Sequence, residues 1–235
     1  MNEFIKKHFT LLITIAFFLI FLVGVKMYND NISERFTNEG IERQQLKRAL
    51  LETNETDHIF GSRDATVKLV LYSDNDCQYC RSLYPKLKKA VKAYPGHVAL
   101  VYRHLPIYYF RGTIDDSEYA SECVFREKGD DGFFAYLDAL FERLPEGIQT
   151  ENVDKQIIFE SAREAGVSQE IIEDCIEKEY AKASIMNQHD SGGVLGVIVI
   201  PHTFMVSDKY IYELPRDQSE EVVNKSVGLL LSESI

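Results

Sequence analysis

The sequence predicts an α/β fold with a helical insertion in its middle, preceded by one N-terminal transmembrane helix. Three observations lead to this prediction. An uncharged apolar run lies near the N-terminus, a strand–helix–strand pattern surrounds a Cys-X-X-Cys pair, and a block of helical patterns separates that pair from the last strands. With 235 residues and 45% hydrophobic content, the chain is suited to one or two globular domains.

The charge of the chain argues against nucleic-acid binding. The formal net charge is −11 and no block of basic residues occurs, whereas phosphate contacts need clustered Lys and Arg. The His residues are scattered, without the Cys/His spacing of a zinc module. We therefore expect no nucleic-acid partner, no metal ion and no cofactor.

The first predicted element is a membrane anchor at residues 9–25. Phe9 to Val25 carry no charge, and this length is at the lower edge of the ~17–25 residues of a spanning helix. No small-x-small cleavage pattern follows, which favours an uncleaved signal-anchor over a cleaved signal peptide. Lys6 and Lys7 place residues 1–8 in the cytoplasm. We expect a single-pass protein of the inner (cytoplasmic) membrane whose remaining chain is periplasmic, in an oxidising compartment.

The α/β unit follows a polar spacer. Residues 26–60 form this spacer, with a helical stretch at Ile41–Leu51. Val67–Tyr72 is short and β-branched, apolar residues recur at helical spacing from Leu83, and Val98–Tyr102 is a second apolar run. Residues 61–113 therefore predict a parallel β–α–β unit.

Residues 114–190 predict a helical insertion. Four segments show helical periodicity: Ala120–Val124, Phe133–Leu144, Val153–Ala162 and Ile171–Tyr180. Thr150 can cap the start of the third helix and Gly166 its end, and Ser191–Gly193 is expected to break the helical pattern.

Residues 191–235 predict a return to the sheet. Val197–Val206 reads as a strand that is entered past Pro201, Tyr210–Tyr212 can pair with it as a hairpin, and Ser219–Leu231 predicts a final helix.

The candidate reactive group is Cys77-Gln78-Tyr79-Cys80. It comes directly after a strand and at the start of a helix, where unpaired backbone N–H groups favour a thiolate on the first cysteine. A Cys-X-X-Cys pair in this context indicates a redox motif rather than two packing residues.

With these segments in place, the chain resembles the DsbA-like branch of the thioredoxin superfamily, from about Gly61 to Leu231. Five pieces carry the resemblance: the entry turn Gly61–Val67, the active-site segment Tyr72–Cys80, the segment Arg103–Pro106, the insertion with Ala120–Cys123 and Phe133–Phe141, and the loop Leu195–Val197 followed by Ile200-Pro201. The resemblance implies a thioredoxin fold with the helical insertion. The second part of that fold holds the cis-proline loop, a hairpin and a C-terminal helix.

The resemblance also implies roles for individual residues. Cys77, at an exposed helix start, would be the nucleophile that forms a mixed disulfide, and Cys80 would be the shielded resolving thiol. Pro201 would be the cis-proline that faces the thiols, and the Ile200 backbone would pair with the substrate chain.

Several positions depart from the family pattern. Leu71 stands where many relatives bury an acid, so a proton relay is absent or supplied elsewhere. Asp74 and Asp76 raise the pKa of a nearby thiol, and Gln78-Tyr79 lacks the histidine of the strongly oxidising members. We therefore expect a moderate oxidant. His202, after the proline, is either an ordinary strand-edge residue, which we prefer, or a group that tunes the charge beside the thiols.

Cys123 and Cys175 lie on apolar helical faces of the insertion. They could be two small packing residues, or they could bridge in an oxidising compartment. The resemblance supports cysteines at both positions in some members. We expect a structural Cys123–Cys175 disulfide, which requires a Cα separation of about 4.4–6.8 Å.

These observations predict a membrane-anchored thiol–disulfide oxidoreductase that forms disulfides in exported proteins through Cys77 and Cys80. Its expected partners are unfolded or cysteine-containing exported proteins and a membrane protein that recycles the thiols by oxidising or reducing them. One alternative is an isomerase or reductase of the same fold. A metal-binding or copper-delivery module that uses Cys77 and Cys80 as ligands is a second, and a redox-silent scaffold is a third.

Overall fold

The computed structural model describes residues 3–106, 113–145, 152–215 and 218–234, and it divides into two units, Met1–Ala49 and Leu50–Ile235. Helix α1 spans Glu3–Leu51. It covers residues 26–51 of the predicted spacer, so the helical stretch that we predicted at Ile41–Leu51 was too short. The side chains of residues 1–17, 31–36 and 38, including the first half of the predicted anchor, lie outside the described residues. Within the part that is described, we find no helix with both the length and the apolar character needed to cross a membrane.

A five-stranded mixed sheet is the framework of the second unit, with strand order β1-β3-β2-β4-β5. The strands are β1 His58–Gly61, β2 Val67–Ser73, β3 Val98–His104, β4 His202–Val206 and β5 Ile211–Glu213. β2 and β3 are parallel, while β1–β3, β2–β4 and β4–β5 are antiparallel. The parallel β–α–β unit and the final hairpin are therefore confirmed.

The central strands alternate between two cores. Leu69 and Leu71 of β2 face one cluster of buried side chains, whereas Val70 and Tyr72 face the other. Both sides of β2 and β3 are covered, and this explains why their sequences are almost continuously apolar.

Strand β1 is an element that the sequence analysis assigned to the spacer. Its four residues include a histidine and a glycine, so no apolar pattern marks it. Pairing with β3 creates the strand, from His58 opposite Tyr102 to Gly61 opposite Ala99. The folded unit therefore begins near Leu50 rather than at residue 61.

Seven helices surround or precede the sheet in the described residues. After α1 come α2 Gln78–Ala93, α3 Asp116–Arg143, α4 Lys155–Glu164, α5 Gln169–Glu177, α6 Lys182–Val194 and α7 Glu220–Ser234. Side chains of α2, α3, α4, α5 and α7 share one core with the sheet. The two helices predicted for 120–144 are the two halves of α3, which meet at Gly129 in a non-helical conformation with φ +65°.

Of the two residues that we predicted to cap α4, the one at its C-terminal end is confirmed. Gly166 follows the helix with φ +83°, a conformation that favours glycine, and its N–H donates to Arg163. At the other end the capping residue is Asp154, whose carboxylate accepts from the Gln156 N–H. Thr150, our expected cap, lies outside the described residues.

Ser191–Gly193 does not break the helical pattern as we expected, because it lies inside α6. Gly192 is needed there for close packing. A Cβ at this position would come within 2.7 Å of Leu105 and 3.1 Å of Tyr72. Ser191 supports the same contact, since its Oγ lies 2.9 Å from the Tyr72 hydroxyl. The glycine reflects a close approach between helix and sheet.

A disulfide joins Cys123 of α3 to Cys175 of α5, with a Cα separation of 6.2 Å. Both cysteines are buried in the core of the insertion. The bond closes a span of 52 residues that contains the whole of α4.

Candidate active site

Cys77 is the N-cap residue of α2. Its backbone is extended, with φ −73° and ψ 113°, and its sulfur accepts a hydrogen bond from the Cys80 N–H at 3.2 Å. This is the position at which a helix leaves its first N–H groups without partners in the helix. A sulfur there is a capping group, and it caps better as a thiolate because the helix end favours negative charge.

The pKa values of the two thiols are shifted in opposite directions. The pKa of Cys77 is lowered, mainly because the Cys80 thiol donates a hydrogen bond to its sulfur. Burial opposes this lowering, and the backbone N–H groups of Cys80 and Tyr79 reinforce it. The pKa of Cys80 is raised well above its usual range, first by burial and then by the neighbouring Cys77. The reduced pair therefore favours one thiolate, at Cys77, and one thiol, at Cys80, which keeps the proton.

Cys77 is less exposed than we expected. Only 2% of its surface is accessible, and Cys80 is fully buried. The reason is the cap itself, because the sulfur is turned back over the helix end toward the Cys80 amide rather than toward solvent. Both cysteines are free thiols, so the structure describes the reduced form.

The turn before Cys77 is buried and acidic. Asp74, Asn75 and Asp76 are all buried, and the Asp76 N–H donates to the Asp74 carboxylate at 2.7 Å. The Cys77 N–H donates to the Asp74 carbonyl. The charge of Asp74 raises the pKa of Cys77, which agrees in direction with our expectation. Asp76 supports the turn through its backbone carbonyl, which accepts a hydrogen bond from the Arg81 side chain at 3.0 Å.

Ile200-Pro201 is a cis peptide bond immediately before β4. The antiparallel register of β4 with β2 sets His202 opposite Tyr72, so the proline lies at the end of the sheet from which the chain leaves β2 toward Cys77. A surface pocket is lined by Tyr79 from the motif and by Ile200, Pro201 and His202 from the loop. The fold thus brings Tyr79 of the motif and the cis-proline loop to one pocket.

Tyr79 and His202 line this pocket, and Gln78 directly precedes Tyr79. Gln78 is the first residue of α2 and half-buried, while Tyr79 is 66% exposed. His202 begins β4, where its ring lies 4.6 Å from that of Phe204 and its Nε2 lies 3.6 Å from a Glu213 carboxylate oxygen. These contacts agree with the strand-edge interpretation of His202.

Sequence reasoning missed two residues that support the motif. Arg81 directly follows Cys80, donates to the Asp76 and Pro145 carbonyls, and interacts electrostatically with Cys77. Asn75 accepts from the buried Tyr102 hydroxyl at 2.8 Å and donates to the Ser117 carbonyl at 3.1 Å. The position of Arg81 next to the motif was a usable signal, whereas the Asn75 contacts join residues distant in sequence.

This arrangement is suited to thiol–disulfide exchange. When Cys77 and Cys80 are joined, a substrate thiolate can attack the Cys77 sulfur and Cys80 leaves with the electron pair. A second substrate thiolate then attacks the substrate sulfur of the mixed disulfide, and Cys77 leaves as a thiolate that the helix end stabilises. The reverse sequence reduces a substrate disulfide.

Comparison with known proteins agrees with this geometry. A family model described as thioredoxin matches residues 53–225. The solved structure of BdbD from Bacillus subtilis matches with a TM-score of 0.65 at 18% identity, covering 77% of this chain and 96% of that one. DsbA2 from Pseudomonas aeruginosa matches with a TM-score of 0.59 at 21% identity, covering 77% and 97%.

A third solved structure is described as a thioredoxin-like oxidoreductase from Silicibacter pomeroyi. It matches with a TM-score of 0.57 at 21% identity, covering 76% of this chain and 96% of that one. Among curated proteins no sequence matches this chain. The family model spans most of the second unit, including both cysteines of the motif and the cis-proline. The chain therefore belongs to the thioredoxin family, with the fold of its DsbA-like members.

Proposed function

We propose that this protein is a thiol–disulfide oxidoreductase that forms disulfides in exported proteins through Cys77 and Cys80. The observation that carries the proposal is the cap geometry, in which the Cys77 sulfur accepts the Cys80 N–H at the start of α2. It gives one sulfur the acidity of a nucleophile and leaving group, while the buried Cys80 keeps its proton.

The same balance supports our proposal that electrons flow from the substrate to the Cys77–Cys80 pair. Whatever stabilises the Cys77 thiolate stabilises the reduced pair, so it makes the Cys77–Cys80 disulfide a better oxidant. Burial of Cys77 and the charge of Asp74 work against the thiolate. We propose a moderate oxidant, which a membrane protein of the thiol-oxidising class returns to the disulfide form.

The proposed location is extracytoplasmic, with residues 9–25 as the anchor and residues 1–8 in the cytoplasm. The uncharged sequence of Phe9–Val25, preceded by Lys6 and Lys7, supports it. Fractionation of cells that express the full chain tests this proposal. We expect the protein in the membrane fraction and its second unit accessible to protease from outside the cytoplasmic membrane.

The activity test uses a reduced, unfolded model protein that needs disulfides to become active. The oxidised full chain should restore its activity, and Cys77→Ser should abolish the effect. Cys80→Ser should instead accumulate a mixed disulfide between Cys77 and the substrate, because the resolving thiol is missing. Exchange activity that survives Cys77→Ser would contradict the role of Cys77.

The redox potential separates an oxidant from a reductant. Equilibration of the Cys77–Cys80 pair with glutathione should give a value less oxidising than the about −120 mV of the strongest oxidants. A value near the about −270 mV of thioredoxin would instead support the reductase alternative. A substrate with scrambled disulfides tests the isomerase alternative, which predicts recovery of activity by the reduced chain.

A further inference from the structure

Three side chains that can bind a metal ion meet in the interior, outside the Cys77–Cys80 site. They are His58 of β1, His104 at the end of β3 and Glu122 of α3, and their donor atoms all lie within 4.8 Å of one another. Histidine nitrogens and a carboxylate oxygen are the ligand types of zinc sites. The residues are far apart in sequence, so only the fold brings them together.

The donor atoms are close enough together to share one ion. The His58 Nε2 lies 3.0 Å and the His104 Nε2 3.5 Å from the same Glu122 oxygen, Oε1. Ligands held at about 2.0–2.2 Å from a tetrahedral Zn²⁺ are themselves about 3.3–3.6 Å apart. Serine hydroxyls lie next to two of the candidate ligands. Ser121 Oγ is 3.3 Å from His104 Nε2, and Ser184 Oγ is 3.3 Å from Glu122 Oε1.

The three candidate ligands are shielded from solvent. His58 and His104 are fully buried and Glu122 is 7% exposed. A buried carboxylate beside the two rings carries a negative charge that a divalent cation would balance.

Hydrogen bonding inside the cluster is incomplete. The His58 Nε2 is hydrogen-bonded to Glu122 Oε1 and the His104 Nε2 to Ser121 Oγ, whereas among the described residues neither Nδ1 has a hydrogen-bond partner. Metal binding at Nε2 moves the proton to Nδ1, which then acts as a donor. The His104 Nδ1 faces Glu118 Oε1 at 3.9 Å, which is beyond direct hydrogen-bond distance, and that oxygen is another buried atom without a partner. Such a carboxyl–histidine–metal arrangement is typical of zinc sites.

We propose that His58, His104 and Glu122 bind one Zn²⁺ ion, with a neighbouring serine hydroxyl or a water as the fourth ligand. The site links β1, β3 and α3, so its role is to hold the edge strand and the helical insertion on the sheet. Imidazole ligands favour Zn²⁺ over Ca²⁺ or Mg²⁺. The proposal does not depend on thiol exchange, because it uses neither cysteine of the motif.

Titration with Zn²⁺ alone tests this site in the full chain carrying Cys77→Ser and Cys80→Ser, which removes the competing thiols. We expect one zinc per chain after exhaustive dialysis and an upward shift of the thermal midpoint. Glu122→Gln in the same background should lose the zinc and the shift. His97→Gln, which changes an exposed histidine, is the matched control and should change neither. A thiol-free chain that retains no zinc, or a folded Glu122→Gln chain that still retains it, overturns the proposal.

Substitution of Co²⁺ gives a second readout that does not depend on a mutant folding. Bound in this cluster of the thiol-free chain, Co²⁺ should show the intense visible bands of tetrahedral coordination without a sulfur-to-cobalt charge-transfer band. The weak spectrum of hydrated, six-coordinate Co²⁺ would overturn the proposal even if Glu122→Gln failed to fold.

Discussion

At the scale of single residues, the reactivity of this site depends on a few polar contacts around one sulfur. The Cys80 thiol and two backbone N–H groups stabilise the Cys77 thiolate, while burial and Asp74 destabilise it. Asp74 is also a structural residue, because its carboxylate accepts the Asp76 N–H. The charge of Asp74 and its hydrogen bond can be separated by a substitution that keeps the acceptor.

We expect Asp74→Asn to lower the pKa of Cys77 further. The amide oxygen can still accept the Asp76 N–H, but the negative charge that raises the pKa of Cys77 is gone. The measurement is the rate of alkylation of the reduced chain as a function of pH. In the wild type this rate should stay high at pH values below the usual pKa of a cysteine thiol, since the thiolate is the nucleophile.

The curve for Asp74→Asn should move to still lower pH. Asp64→Asn, which removes an exposed carboxylate from the turn before β2, is the control and should leave the curve in place. A curve for Asp74→Asn that moves to higher pH would show that the hydrogen bond matters more than the charge.

At the scale of elements, buried polar contacts attach the segment after α1 and strand β1 to the sheet. Arg103 of β3 makes two hydrogen bonds to the Asp57 carboxylate, at 2.7 and 2.8 Å, and both side chains are almost fully buried. The same guanidinium donates to the Leu50 and Glu52 carbonyls and to the Tyr72 hydroxyl. Each nitrogen of the guanidinium thus has at least one hydrogen-bond partner.

Removal of one partner should be strongly destabilising. We expect Arg103→Met to reduce the free energy of unfolding by about 3–5 kcal/mol, because Asp57 is left as an uncompensated buried charge. Denaturant unfolding of the reduced and oxidised chains measures this change.

Arg63→Met is the matched control for that experiment. Arg63 makes a 2.9 Å ion pair with Asp130, in which the arginine side chain is 49% exposed. Exposed pairs contribute only about 0–1 kcal/mol, so the two variants should differ by several-fold. Similar losses for both would contradict the importance of burial.

The Cys123–Cys175 disulfide is the second contact at this scale. We expect Cys123→Ala with Cys175→Ala to lower the free energy of unfolding by about 2–4 kcal/mol, because the open chain gains conformational entropy when it unfolds. Denaturant unfolding without reductant measures the loss. The exchange activity of Cys77–Cys80 should persist under conditions where the variant is folded, and its loss there would show that the bridge also shapes the site.

At the scale of the whole molecule, the chain divides at Ala49–Leu50, and the second unit contains the sheet, the motif, the cis-proline and the structural disulfide. Both of its hydrophobic clusters beside the sheet consist of residues from Leu51 onward. It also keeps the Leu50 and Glu52 carbonyls that Arg103 binds. The folded unit therefore has the contacts needed to fold by itself.

A fragment that starts at Leu50 should keep the fold and the exchange chemistry. We expect one cooperative unfolding transition and an alkylation profile of Cys77 equal to that of the full chain. A fragment that starts at Phe60 is the comparison, since it lacks half of β1 and the Asp57 partner of Arg103. Equal stability of the two fragments would show that β1 is dispensable.

The amino-acid sequence by itself determined the features that depend on local pattern. The apolar runs of β2 and β3, the helical spacing of α2 and α7, and the cysteine pair at a helix start are all readable because neighbouring residues create them. The outline of the thioredoxin fold and the positions of Cys77, Cys80 and Pro201 followed from these patterns and from the family resemblance.

Only the tertiary structure decided the features that need distant partners. β1 is a strand because β3 pairs with it, and position 192 needs a glycine because Tyr72 and Leu105 approach α6 there. His58, His104 and Glu122 show no common spacing, yet the sheet and α3 bring them together. Local sequence encodes propensity and periodicity, whereas burial and long-range contacts arise only when the elements pack.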